Sequence, residues 1–415
     1  MFKRIFKNTG YLFVSGIISQ FLFLIQIIFI ARYLGAAGLG KYAFVFAFGS
    51  LFFILSNSGL TDLTIRELAR DKSKTSKYLG NLLVIKLGLC LVASLLMIVT
   101  INLMNVSQEL KVGIYLICLI FSIDAFIWVF YSVFRAYEKM LYEAFILLIH
   151  NIIIVGFALY FLIGGYSFVH LIYAFTIGKT IGLIITIYFG YKLLPKPLLK
   201  IDLKLWKYLM IKSIPFLIIG SSILIIYRTD LVMLQFFKGE AIVGLYEAAC
   251  TIIKNLIIFP SFFVISIYPL LSKYFIKDKE KLYNLYKKSF LYLFLFSLFI
   301  VIGCFIFGKF VILLMFGKEF IESVLILKLV SIGGFLLFLN LINIYYLNAT
   351  NKPIINAYIF ILGAVMNIIL NLILIPKYSY VGAAISSIIS YFIIFVCEQR
   401  VVGLSLRLAK AKKQW

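Results

Sequence analysis

Residues Tyr11–Ile30 read Y-L-F-V-S-G-I-I-S-Q-F-L-F-L-I-Q-I-I-F-I and carry no charge. A bilayer core about 30 Å thick is crossed by an α-helix of about 20 apolar residues, which is the length of this run. The run is longer than the apolar region of a signal peptide, and no clear A-x-A cleavage pattern follows it. We therefore predict that it forms the first membrane-spanning helix.

Similar runs continue along the whole chain. Of its 415 residues, 64% are hydrophobic and 13% are charged, whereas a soluble domain is about half apolar and about a quarter charged. Lipid permits only helices and closed barrels, and runs this long exclude barrel strands. The sequence therefore predicts an all-α integral membrane protein of about twelve spanning helices, at residues 10–31, 41–61, 79–104, 112–134, 142–164, 167–191, 208–228, 241–265, 289–312, 325–347, 354–375 and 380–403.

The placement of basic residues predicts the orientation. With a cytoplasmic N-terminus, most of the 40 lysines and arginines fall in segments on the cytoplasmic side, as the positive-inside rule requires. The net charge of +24 would suggest nucleic acid in a soluble protein. Here the basic residues lie in short gaps between apolar runs. We therefore expect both termini in the cytoplasm, the anionic inner leaflet as a partner and no binding of nucleic acid.

An internal repeat predicts two lobes of six helices. G-A-A-G-L-G-K-Y at Gly35–Tyr42 matches G-E-A-I-V-G-L-Y at Gly239–Tyr246 with an offset of 204 residues, and F-R-A-Y-E-K at Phe134–Lys139 is echoed by L-N-A-T-N-K at Leu347–Lys352. Equal helix order in both halves indicates parallel repeats, a common transporter design. We predict an N-terminal lobe at 1–195, a basic linker at 196–207 and a C-terminal lobe at 208–415.

Three segments carry a family resemblance. R-Y-L-G-A-A-G-L-G-K-Y from Arg32, V-G-L-Y at Val243–Tyr246 and N-L-I-L-I-P-K-Y-S-Y-V-G-A-A at Asn371–Ala384 resemble polysaccharide flippases of the multidrug/oligosaccharidyl-lipid/polysaccharide (MOP) exporter superfamily, such as O-antigen flippases. The family commonly has proline after R-x-L-G, where this chain has Ala36. That difference affects turn geometry rather than chemistry.

The resemblance implies a fold, an activity and partners. The fold would be two lobes around a central cavity, similar to that of MATE transporters, and the lobes would rock between inward- and outward-open states. The cargo would be a polyprenyl-(pyro)phosphate-linked oligosaccharide for surface polysaccharide or glycan biosynthesis at the cytoplasmic membrane. A glycan polymerase or ligase of the same pathway is a further expected partner. Related flippases have a cationic cavity, which suits a phosphate-bearing lipid.

Ionisable residues inside membrane spans are costly and usually face a cavity or a partner. Lysine and arginine are the side chains suited to phosphate. The candidates for binding it are Arg32, Lys179, Lys254 and Arg228. The alternative for the two arginines, which lie near helix ends, is that they reach toward lipid headgroups. The same interpretation is favoured for Lys86, about two turns into its helix.

Two acids are candidates for ion or proton coupling, namely Asp124 and Glu247. Asp124 lies in mid-helix, where it can instead pair with a lysine. Glu247 lies seven residues before Lys254 and on the same helix face, and we expect the two to be too far apart to pair directly. His150 is expected to be an ordinary buried or interfacial residue. The asparagines of the tenth and eleventh helices are expected to bond between helices rather than to sugar.

Other functions lack the residues they need. The five cysteines are scattered and join no histidines, so we predict no disulfide framework, no metal and no cofactor. No D-x-D, H-E-x-x-H, G-x-S-x-G or P-loop pattern is present, which argues against an enzyme such as a membrane-embedded sugar polymerase or glycosyltransferase. Multidrug or cation efflux by a transporter of the same superfamily stays open as the main alternative.

Overall fold

The computed structural model describes the backbone of residues 2–57 and 59–411. Its twelve α-helices within those ranges are α1 (Phe2–Asn57), α2 (Leu60–Arg70), α3 (Thr75–Leu103), α4 (Gln108–Ala136), α5 (Met140–Ile163), α6 (Phe168–Leu193), α7 (Leu203–Lys238), α8 (Glu240–Leu256), α9 (Ile258–Lys277), α10 (Lys279–Met315), α11 (Ser323–Ala349) and α12 (Pro353–Ala411). Nine helical segments in the described part of the chain are long and apolar enough to cross a membrane. The prediction of an all-α membrane protein is confirmed.

Two of these helices each contain two predicted spans. A single non-helical residue interrupts α1 at Gly35 and α12 at Ser379. The helices have 56 and 59 residues, and at 1.5 Å per residue each is more than long enough for two crossings. Conversely, one predicted span at 241–265 is divided between α8 and α9, which meet at Ile257.

The chain forms two compact units, Met1–Ser221 and Ser222–Trp415. In the first unit, α4 packs against α1, α2, α3 and α6, and α5 packs against α1 and α6. In the second unit, α11 is central and packs against α8, α9, α10 and α12. Many large apolar side chains remain exposed on the outer helix faces, as expected where lipid replaces water as the solvent. The predicted lobe limits at 195 and 208 stay a prediction.

The two repeat motifs have matching backbones. Gly35 has φ 66° and ψ −170°, and its counterpart Gly239 has φ 84° and ψ 179°. A side chain other than glycine is strained in this conformation. The second motif agrees as well, because Glu138 and Asn351, 213 residues apart, have φ of 56° and 60°. Both motifs therefore mark turns that the two halves of the chain share.

The F-R-A-Y-E-K segment fastens one end of the first unit. Arg135 forms a bidentate pair with the buried Glu143, with Nε 2.9 Å from Oε2 and a guanidinium nitrogen 2.6 Å from Oε1. The Tyr137 hydroxyl lies 2.9 Å from Thr75 Oγ1. Lys139 donates to the carbonyl of Leu193 at 2.9 Å. The motif thus connects α3, α4, α5 and α6 and has a structural role.

Lys86 has a different role from the predicted one. Its side chain is 1% exposed, and Nζ donates to the carbonyl of Ser56 at 2.7 Å. Ser56 lies in the last turn of α1, where carbonyl groups lack helical partners and carry the negative end of the helix dipole. The expectation that Lys86 reaches the membrane surface is therefore wrong, because the end of α1 offers its ammonium a closer acceptor.

Candidate functional site

A lysine, an acid and a histidine meet inside the first unit, and we call them the Lys179 site. Lys179 on α6 places Nζ 2.8 Å from Oδ1 of Asp124 on α4. The same Nζ lies 3.5 Å from Nε2 of His150 on α5. The Lys179 and Asp124 side chains are 18% and 16% exposed, whereas His150 is buried. The predicted pairing of Asp124 with a lysine is confirmed.

Small residues in α6 allow it to pack closely against α5, which carries His150. Gly178 and Gly182 flank Lys179, and a Cβ on Gly182 would lie 3.1 Å from Cβ of His150. A Cβ on Gly178 would lie 3.0 Å from the His150 carbonyl oxygen. Small residues at this spacing bring membrane helices close together. The contact between His150 and Lys179 was not predicted from the sequence. The G-K-T-I-G pattern at residues 178–182 is the signal that could have suggested it.

Lys254 and Glu247 form a pair in the second unit. Both lie on α8, and Nζ of Lys254 is 2.7 Å from Oε2 of Glu247. The prediction that they are too far apart to pair is wrong. Two helical turns separate their Cα atoms, but side chains in a helix lean toward its N-terminus. The long Lys254 side chain therefore reaches back along the helix to Glu247.

A buried carboxylate forms a second polar cluster, which we call the Asp230 site. Asp230 on α7 accepts hydrogen bonds from the Tyr246 hydroxyl at 2.8 Å, from Asn371 Nδ2 at 2.6 Å and from the Ser387 hydroxyl at 2.5 Å. Asn371 also donates to Oδ1 of Asn367 at 3.1 Å. The site thus joins α7, α8 and both parts of α12. Asn371 thus bonds between helices as predicted, whereas its bond to Asn367 stays within α12.

An apolar cavity of about 170 Å³ extends from the Asp230 site. Its walls come from α7, α8, α11 and α12. Gly333 and Gly334 on α11 line it and, having no side chains, leave part of its volume open. Asp230 and Lys254 are the charged residues that line it, and most of the rest of its surface is aliphatic or aromatic. The cavity therefore offers one carboxylate and one ammonium group in otherwise apolar surroundings.

The chemistry of these clusters suits small ions and protons. The carboxylate of Asp230, with nearby hydroxyl and amide oxygens, has the hard oxygen ligands that alkali and alkaline-earth ions prefer. In the described ranges, no group of three or more His, Cys, Asp and Glu side chains is placed to hold a metal ion. Asp230 was not among the residues predicted from the sequence, because its partners lie up to 157 residues away along the chain. The available signal was Tyr246, which donates a hydrogen bond to Asp230 and belongs to the repeat motif.

The two candidate arginines are not among the residues that form these clusters. Arg32 is exposed on α1, three residues before the break at Gly35. Arg228 is half-buried on α7, two residues before Asp230. The phosphate-binding role of all four basic candidates, and the coupling role of Asp124 and Glu247, stay predictions.

Comparison with protein families gives one match over most of the chain. A family model described as "Polysaccharide biosynthesis protein" matches residues 5–275. Among curated proteins, uncharacterized membrane protein MJ1068 of Methanocaldococcus jannaschii is 28% identical over 201 residues, which cover 46% of this chain and 38% of that protein. Uncharacterized membrane protein MJ1375 of the same organism is 29% identical over 185 residues, which cover 44% and 43%. The match thus spans less than half the length of either relative.

Solved structures share the fold over nearly the whole chain. An inward-facing multidrug resistance MATE family transporter of the MOP superfamily has a TM-score of 0.76 at 14% identity, covering 95% of this chain and 96% of that chain. Lipid II flippase MurJ in an inward closed conformation has a TM-score of 0.77 at 18% identity, covering 94% and 87%. A MOP superfamily transporter from Pyrococcus furiosus, whose binding pocket is described as having reverse polarity, has a TM-score of 0.57 at 14% identity, covering 97% and 96%. At these identities the likeness concerns the fold.

Proposed function

The chain belongs to the polysaccharide biosynthesis protein family, and from this premise we propose that it is a flippase for polyprenyl-(pyro)phosphate-linked oligosaccharides. It moves them across the cytoplasmic membrane by alternating access, with both termini in the cytoplasm, for surface polysaccharide or glycan synthesis. The observation that carries the proposal is that each unit holds a lysine within a membrane span beside a carboxylate, Lys179 with Asp124 and Lys254 with Glu247.

Phosphate is the cargo group that these lysines suit. An ammonium group donates charge-assisted hydrogen bonds to phosphate oxygens, and it does so more strongly where water is partly excluded. The Lys179 and Lys254 side chains are 18% and 26% exposed, so both are partly shielded yet accessible to a ligand. The prenyl tail of the cargo stays in the bilayer, so that only the headgroup requires polar contacts.

The carboxylates provide a way to release the cargo. When Asp124 and Glu247 hold the lysines, as they do here, the ammonium groups are neutralised and a phosphate must displace a carboxylate to bind. Protonation of the carboxylate frees the lysine, and loss of that proton restores the competing pair. Exchange between phosphate and carboxylate therefore couples binding to protonation without requiring a further residue.

Efflux of organic cations is a second candidate. The Asp230 carboxylate faces a largely apolar cavity, an arrangement that also suits an apolar cation. Asp230 already accepts three hydrogen bonds, which stabilise its charge without a cationic ligand. The family membership favours the lipid-linked oligosaccharide.

The test is a strain that lacks the gene. We expect its polyprenyl-linked oligosaccharide to accumulate on the cytoplasmic side and its surface glycan to disappear, and mass spectrometry of the accumulated lipid identifies the cargo. Complementation by a variant with both Lys179→Gln and Lys254→Gln should fail although the protein reaches the membrane. The matched control is Lys74→Gln, which removes an exposed lysine that also pairs with a carboxylate, that of Asp71, at 3.1 Å. It should restore the glycan.

Two outcomes would contradict the proposal. Restoration of the glycan by the double lysine variant would show that neither Lys179 nor Lys254 is needed to bind the cargo. Normal lipid intermediates in the deletion strain, together with increased sensitivity to cationic drugs, would instead support efflux.

A further inference from the structure

A second buried acid lies in the second unit away from the Asp230 site. Glu398 is on α12, eleven residues after Ser387. Eleven residues make about three helical turns, so that the two side chains lie on the same face of α12 and roughly 16 Å apart along it. Glu398 is 0% exposed. It therefore forms a site of its own, which none of the groups assigned above includes.

The carboxyl group of Glu398 has no hydrogen-bond partner within the described part of the chain, at either oxygen. Its polar neighbour is Asn343 on α11, which is also 0% exposed and whose Nδ2 has no acceptor. The other side of that amide is in use, because Asn343 Oδ1 accepts a hydrogen bond from the Tyr286 hydroxyl at 2.7 Å. Gln399 donates to the same Tyr286 oxygen at 3.0 Å. A free acid thus faces a free amide N–H beside a closed hydrogen-bond network.

No cation within the described residues neutralises Glu398. Its carboxyl oxygens have no partner, and the basic residues Lys287 and Lys288 on α10 and Arg400 on α12 are exposed. The titratable groups that α10 and α11 contribute nearby are the hydroxyls of Tyr286 and Tyr346, which are neutral at physiological pH. An ionised carboxylate left unpaired in such a place costs far more free energy than a neutral carboxylic acid.

The surroundings can also stabilise the ionised form after a small movement. Asn343 Nδ2 is a free donor, and rotation of the Glu398 side chain toward it creates a hydrogen bond to the carboxylate. A group that is neutral in one arrangement and has a donor waiting for its ionised form can exchange a proton rather than hold it permanently. This distinguishes Glu398 from a carboxylic acid enclosed by aliphatic side chains alone.

We propose that Glu398 is a proton-binding site of the second unit. Its carboxyl group holds a proton in this conformation and transfers it to water when a conformational change admits water between α10, α11 and α12. The remaining carboxylate then accepts the hydrogen bond from Asn343. The proposal does not depend on the identity of the transported molecule.

Infrared difference spectroscopy of the full chain in liposomes tests this directly, because a protonated carboxylic acid has a carbonyl band that a carboxylate lacks. We expect the wild-type protein to show such a band at neutral pH, and to lose it as the pH is raised. Glu398→Gln should lack this component. The matched control is Glu247→Gln, which removes a buried acid that is paired with Lys254 and should leave the band unchanged.

A third variant tests the role assigned to the amide. Asn343→Leu removes the donor that stabilises the carboxylate, so that the midpoint of the band's titration should move to higher pH. Glu398→Asp keeps an acid at this position and serves if the glutamine variant does not fold. Identical bands in wild-type protein and Glu398→Gln would overturn the proposal, and so would a band that fails to titrate. Because no cargo is present, these results are independent of the test of flippase activity.

Discussion

Replacing the charged residues of the Lys179 site, singly and together, distinguishes two roles for Lys179: a partner in a structural ion pair and a phosphate-binding residue. The variants are Asp124→Asn, Lys179→Gln and the double variant. The two side chains are 16% and 18% exposed and their charged atoms are 2.8 Å apart. Removal of one partner costs about 0.2–1 kcal/mol in exposed pairs and about 3–5 kcal/mol in buried ones. For this intermediate case we expect each single variant to lose about 2 kcal/mol, and the double variant to lose less than the sum.

Activity should follow a different order from stability. Asp124→Asn keeps the lysine and frees it from its competitor, so it should bind cargo at least as tightly as wild type but release it more slowly. Lys179→Gln and the double variant both lose a charge-assisted contact worth about 1.5–3 kcal/mol, which is a loss of roughly 10- to 150-fold in affinity. The assay is transfer of a fluorescent polyprenyl-pyrophosphate oligosaccharide across proteoliposomes, next to thermal unfolding of each variant. Wild-type transfer by the double variant would refute the reasoning, because it would leave the pair with a structural role only.

Two further predictions concern the segment after α6, which passes over the start of α3. A Cβ on Gly80 would lie 2.0 Å from the carbonyl oxygen of Leu198, whereas a Cβ on Gly88 of the same helix meets nothing within 4 Å. Gly80→Ala should therefore lower the free energy of unfolding by about 1–3 kcal/mol, measured by thermal unfolding. The matched variant Gly88→Ala should be neutral or stabilising by about 0.5–1 kcal/mol. The Lys77 ammonium, 2.6 Å from Asp202, holds the pKa of that carboxyl below its usual range, together with the Leu205 backbone N–H. A lowered pKa means that the contact stabilises at neutral pH and is lost as the pH falls through the lowered value. Asp202→Asn should therefore speed hydrogen exchange of residues 198–206 at pH 7 and should match wild type once the wild-type carboxyl is protonated. Equal exchange at pH 7 would contradict this.

Membrane spans are predictable from the sequence because the bilayer imposes their length and polarity. Uncharged runs such as Tyr11–Ile30 can satisfy their backbone only as helices, so that run length alone indicates the elements. Boundaries were less predictable where one residue decides them. The break at Ser379 lies in a polar K-Y-S-Y segment that resembles an ordinary loop, yet the structure continues as helix on both sides of that single residue.

Partners within the sites were harder to predict than burial. The depth of Lys179 and Asp124 in their spans indicated that both needed a partner, but 55 positions separate them along the sequence, and only helix packing brings them together. The Glu247–Lys254 pair was missed for another reason. The rise along the helix axis separates the two Cα atoms by two turns, but the lean and length of the lysine side chain bring its ammonium back to Glu247.

At one position of the repeat, the two units differ in chemistry although their motifs share a backbone conformation. At the offset of 204 residues that relates Gly35 to Gly239, the counterpart of Asp230 is Gln26. Both side chains are buried, but an amide neither takes up a proton nor contributes a negative charge. Tyr42, the counterpart of Tyr246, packs against Phe175 with ring centroids 5.8 Å apart, whereas Tyr246 donates to Asp230. At this position of the repeat, therefore, only the second unit has an acid. In the first unit the acid Asp124 lies on a different helix, α4, where it pairs with Lys179 on α6.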